Sequence, residues 1–91
     1  MYRCGYCREF TPLFEKLSTN KLYSDKNVRF FKIDGETYKE QLKKYDVYSY
    51  PTVLLFWRGY VDYPIWFREE RNEQNIQKFI EKNTKINVNK I

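Results

Sequence analysis

At 91 residues the chain has room for one domain, whose core can bury roughly 60 to 65% of the unfolded surface. A hydrophobic share of 42% with 32% charge excludes a disordered chain, and no apolar run approaches the length of a membrane span. Seventeen basic and twelve acidic residues leave a net charge of +5, scattered rather than blocked; this predicts a solvated surface with weak attraction to acidic partners.

The chain opens on Met1-Tyr2-Arg3-Cys4, with no basic stretch leading into an apolar one, so nothing there resembles a secretory signal. Cys4-Gly5-Tyr6-Cys7 follows at once and holds both cysteines of the chain. From 9 to 23, Phe10, Leu13, Phe14 and Leu17 recur at helical spacing, and Pro12 predicts a kink. The cysteine pair is thereby set at a helix N-terminus.

Residues 28–34 are β-branched and aromatic and run into Gly35, which predicts a strand closed by a turn. Residues 36–45 read as a polar helix with Leu42 and Tyr45 inward. The apolar run 52–57 predicts a covered strand, and Arg58-Gly59 a turn into 60–67, completing a β-hairpin. Asn72 is the expected N-cap of a last helix with Ile76, Phe79 and Ile80 on one face, ending near Asn83. One α/β domain over 1–84 and a frayed tail over 85–91 complete the expectation.

A thiolate is the nucleophile of disulfide exchange, and the free N–H groups and dipole at a helix start stabilise it. Cys4 takes that position, and Cys7, three residues on, lies one turn along the same face, able to attack a mixed disulfide formed at Cys4. Cys4 is then the nucleophile and Cys7 the resolving thiol, with no cofactor beyond the pair. Arg3 would add positive charge, or is simply a solvated arginine. The alternatives for the pair are idle cysteines or half of a metal site; a zinc site would need two more Cys or His, and the chain has no histidine. No metal is expected. In Tyr48-Ser49-Tyr50-Pro51-Thr52, Pro51 stands directly before the apolar run, as a cis proline turning the chain or a trans proline starting an edge strand.

These segments, with Thr11-Pro12-Leu13-Phe14-Glu15-Lys16-Leu17, Lys32-Ile33-Asp34, Tyr45-Asp46-Val47 and Tyr50-Pro51-Thr52-Val53-Leu54-Leu55-Phe56, resemble the thioredoxin superfamily, specifically the catalytic domains of protein disulfide isomerases. The resemblance covers about 3–83. It implies a thioredoxin-like mixed sheet flanked by helices. It also implies that Cys4 attacks, Cys7 resolves and Pro51 is cis, with the Tyr50 backbone pairing an extended substrate beside Gly5 and Tyr6. An arginine that lowers the resolving cysteine's pKa would be Arg71, with Arg68 the runner-up. The substrates would be cysteine-containing proteins or peptides, and the compartment the endoplasmic reticulum or secretory pathway, with cytoplasm the alternative.

Three departures accompany the resemblance. Arg3 replaces the usual tryptophan, and Tyr6 replaces the isomerase histidine, so cationic help for the thiolate must come from elsewhere. The strand, helix and central strand that precede the motif in the family, with a buried proton-relaying acid, have no counterpart, so the fold is expected to be shortened at its N-terminus. Strands 28–34 and 52–57 must then pair directly, leave backbone groups unpaired, or share a strand with another chain, self-association included. Asp34 and Glu15 read as a turn residue and a surface charge. The competing function is a redox-weak, chaperone-like module that holds unfolded chains on Tyr6, Tyr48, Tyr50 and Trp66. Nucleic-acid binding has no motif to support it.

Overall fold

The computed structural model describes residues 5–57 and 62–88. The elements are α1 (Gly5–Ser18), α2 (Lys21–Ser24), α3 (Lys39–Lys43), β1 (Leu54–Leu55), β2 (Ile65–Trp66) and α4 (Glu73–Thr84). None of these helices is long and apolar enough to cross a membrane.

Helix α1 forms because its apolar residues keep helical spacing, and their stripe turns inward. Leu17 is 1% exposed, and burying such a side chain contributes about 2 kcal/mol. The helix runs continuously through Pro12; the break comes later, where Asn20 Oδ1 accepts a 3.0 Å bond from Leu22 N and starts α2. An asparagine side chain serves the new helix's free donors better than another turn of α1 would. The rings of Phe10, Phe14, Phe30 and Tyr23 then meet in series, one pair tilted and two edge-on, with centroids 6.0, 5.7 and 5.2 Å apart.

Residues 28–34 are not a strand, which corrects the sequence expectation. Val28 N still donates to Tyr23 O at 2.9 Å, and Phe30 packs on the core. Among the described residues, however, nothing bonds the backbone of 29–33. A strand is defined by its ladder, and β-propensity without a neighbour yields only extended chain. The helix expected over 36–45 likewise contracts to α3, with bonded turns on either side.

The hairpin is present in reduced form. Leu54 pairs with Trp66 and Leu55 with Ile65, antiparallel, and Phe67 N adds a 3.0 Å bond to Val53 O. Its connection at 58–61 lies outside the described residues. The sheet among the described residues is therefore two antiparallel strands rather than the mixed sheet expected, for the reason that left 29–33 unpaired.

Helix α4 begins where expected: Asn72 Oδ1 accepts from Asn75 N at 2.8 Å. Ile76 and Ile80 are buried against Leu17, Tyr23 and Phe67, and the Phe67 and Phe79 rings meet edge-on at 5.2 Å. Of the tail expected over 85–91, residues 85–88 are described and pack onto the domain, and 89–91 lie outside the described residues. Lys85 takes a left-handed conformation (φ 61°) and turns the chain back, so that Val88, 1% exposed, joins the core. Val88 N donates to Glu81 Oε2 at 2.9 Å. Sequence alone missed this return because Lys85 lacks the glycine signal of a helix end.

Candidate active site

Gly5, Tyr6 and Cys7 form the first turn of α1, where backbone N–H groups have no partner within the helix and the dipole is positive. No acidic side chain occupies that turn to offset this field. Cys7 is half-buried and its sulfur is in a disulfide; its carbonyl accepts a 2.9 Å bond from Thr11 Oγ1 one turn on. Arg3 and Cys4 lie outside the described residues.

Tyr6 projects outward, 66% exposed. The Arg71 guanidinium carbon lies 5.9 Å from the centroid of its ring, within range of a cation–π contact worth about 0.5–1 kcal/mol at an exposed position. Arg71 immediately precedes the Asn72 cap, so the start of α4 fixes it. The two helices are also joined by an ion pair, Lys16 Nζ to Glu73 Oε2 at 2.8 Å; with those side chains 69% and 39% exposed, the pair itself contributes little. Arg68 turns elsewhere, 4.8 Å over the ring of Trp66. Of the two arginines that the resemblance implied, Arg71 lies against Tyr6 of the cysteine motif and Arg68 against Trp66.

Tyr50 and Pro51 belong to a separate loop. The Tyr50–Pro51 peptide bond is cis, as the resemblance implied. Thr52 Oγ1 donates to Ser49 O at 2.6 Å across the bend, and the Tyr50 hydroxyl donates to the Gly35 carbonyl at 3.2 Å. Gly35 is buried, and a Cβ there would overlap the Tyr50 ring. Sequence reasoning gave Gly35 only a turn; its further role as the seat of a ring fifteen residues away could not be read without the fold.

The turn before α3 is built by Asp34, whose Oδ1 accepts from Glu36 N at 2.9 Å and whose Oδ2 accepts from Thr37 Oγ1 at 3.0 Å. The Thr37 hydroxyl and then the Glu36 amide hold the Asp34 carboxyl below its ordinary pKa. Those bonds account for the carboxylate without any catalytic task. Among the described residues no cluster of His, Cys, Asp or Glu could hold a metal ion.

The thioredoxin family model matches residues 2–82. The chain belongs to the thioredoxin family. This thioredoxin domain is 28% identical over 87 residues to protein disulfide-isomerase erp38 of Neurospora crassa, covering 96% of this chain and 23% of that protein. It is 32% identical over 85 residues to a probable protein disulfide-isomerase A6 of Medicago sativa, covering 93% and 23% respectively. Protein disulfide-isomerase A4 of Mus musculus is 34% identical over 61 residues, or 66% of this chain and 10% of the relative. The domain thus spans about a quarter or less of the length of these relatives. No solved structure matches it. At the level of the family, its kinship is with thiol–disulfide oxidoreductases.

Proposed function

We propose that the domain exchanges disulfides with cysteine-containing proteins or peptides through Cys4 and Cys7. The observation that carries this reading is Cys7, disulfide-bonded in the first turn of α1, in a domain related to protein disulfide-isomerases. In the reducing direction the Cys4 thiolate attacks one sulfur of a substrate disulfide. The Cys4–substrate S–S bond forms, the substrate S–S bond breaks, and the departing sulfur leaves with the electron pair and takes a proton. Cys7 then loses its proton and attacks the Cys4 sulfur, releasing the second substrate thiolate. The substrate has gained two electrons and the domain holds a disulfide; the reverse sequence oxidises a substrate dithiol.

Arg71, held over Tyr6, supplies the positive charge that the absent histidine would have given, and favours the thiolate form in the pair. Gly5, Tyr6, Tyr50 and Pro51 receive the substrate peptide. The compartment in this reading is the endoplasmic reticulum or secretory pathway, with cytoplasm the alternative.

The test is trapping. With Cys7→Ser, a peptide disulfide should leave a mixed disulfide on Cys4, seen by mass spectrometry as the added mass of one peptide half, while the parent chain turns the peptide over. A variant that gains no such adduct would refute the assignment of nucleophile and resolver. The exposure of Tyr6 (66%) and Tyr48 (69%) favours a second reading, peptide holding without exchange. Suppression of aggregation of an unfolded protein by the double Cys4→Ser, Cys7→Ser variant would establish it.

A further inference from the structure

Beside the core stripe of α4, a cleft of about 380 Å³ opens between this helix and β2. Its apolar surfaces come from Trp66 and Phe79, and its charged ones from Arg68, Lys78, Lys82 and Glu69. Three cations thus face one anion. None of the three cations belongs to an ion pair among the described residues, whose pairs are Lys16–Glu73, Lys43–Glu40 and Lys44–Asp62. Arg68 is instead spread over the Trp66 ring, which aligns a guanidinium with an aromatic wall.

The cleft is also of a size and spacing suited to a peptide. Lys78 and Lys82 stand one helical turn apart, a rise of about 6 Å. Alternate residues of an extended chain are about 6.5 Å apart and share a face. Carboxylates at alternate positions of such a chain therefore match the spacing of the two lysines. Trp66 lies in the strand that forms one edge of the sheet described, where added extended chain is accommodated by the geometry of the ladder.

We propose that this cleft docks an extended acidic peptide segment, with glutamate or aspartate on Lys78, Lys82 and Arg68 and an aliphatic side chain against Trp66 and Phe79. The docking is separate from disulfide exchange and needs no cysteine in the partner. It anchors a bound protein chain by its charge while the cysteines act elsewhere on that chain.

The experiment uses the full chain and a fluorescein-labelled peptide in which glutamate alternates with leucine, without cysteine, followed by anisotropy at low salt. The expected result is saturable binding that weakens on adding salt. Replacing the glutamates by glutamine, or the protein's Lys78→Glu with Lys82→Glu, should weaken it about tenfold, the sum of two modest exposed pairs turned to repulsion. Both lysines are exposed, and circular dichroism of the variant checks its fold; the glutamine peptide needs no variant at all. Equal binding of the glutamine peptide overturns the proposal, as does a folded double variant that binds like the parent. A single-stranded oligonucleotide of equal charge that binds more tightly than the peptide, with the same dependence on the two lysines, would overturn it in favour of a nucleic-acid surface.

Discussion

Tyr23 shows how one buried side chain can limit the conditions under which the whole domain is stable. Its ring is 1% exposed, and its hydroxyl has no hydrogen-bond partner among the described residues. Burial first, and then the negative charges of Glu73 and Glu81, push its pKa up from 10.0 to about 12. Below pH 10.0 the phenol is protonated in both the folded and unfolded states and contributes no pH dependence. Between 10.0 and about 12 the unfolded chain loses this proton and the folded one keeps it, so stability falls as pH rises through that window. Tyr23→Phe removes both the unbonded hydroxyl and the ionisation. Urea melts should show it as stable as the parent, or more so by about 1 kcal/mol, near pH 8, with a widening advantage near about pH 11. A variant that loses stability at both pH values would mean that the hydroxyl has a partner after all.

Among the elements, those whose signals are local were legible in the sequence and those that depend on a neighbour were not. The stripe Phe10, Leu13, Phe14, Leu17 and the Asn72 cap are each contained within one helix; α4 formed where expected, while the first helix keeps its stripe but ends at Ser18, short of the 9–23 expected. Residues 28–34 have strand composition, but a ladder is a property of two segments, so composition alone could not secure it. The site divides in the same way. The cysteine spacing could be read directly and the arginine before α4 through the family resemblance, whereas the Tyr6–Arg71 and Tyr50–Gly35 contacts require the tertiary structure. The local signals also give the plainest test. Asn72→Ala removes the 2.8 Å bond that starts α4 and should cost about 1 kcal/mol, lowering the thermal midpoint by about 4–8 °C for a domain of this size. Because Arg71 adjoins that cap, the melt should be accompanied by slower disulfide exchange; an unchanged midpoint would show that the helix start is held by its packing alone.

Taken whole, the described residues bury one core and leave apolar side chains exposed on an extended segment. Leu17, Tyr23, Phe67, Ile76, Ile80 and Val88 close around α1 and α4, while Phe31 and Ile33 stand 79% and 62% exposed on the unpaired segment. Extended backbone with open donors and acceptors, flanked by exposed apolar side chains, is a template for another chain. The chain is therefore expected to self-associate as its concentration rises. Phe31→Asp with Ile33→Thr should shift the sedimentation profile to monomer without changing the far-ultraviolet circular dichroism; association that persists unchanged in this variant would place the contact elsewhere.

The seating of Tyr50 on Gly35 links two stretches of sequence that mutation would otherwise vary independently. Since the ring fills the space any side chain at 35 would need, volume can be added at one position only by giving it up at the other. Drift at the turn before α3 is thereby restrained by the loop of the cis proline. Variants with a larger residue at 35 should survive chiefly in the company of a smaller one at 50, so that the two positions are inherited as a single unit of shape.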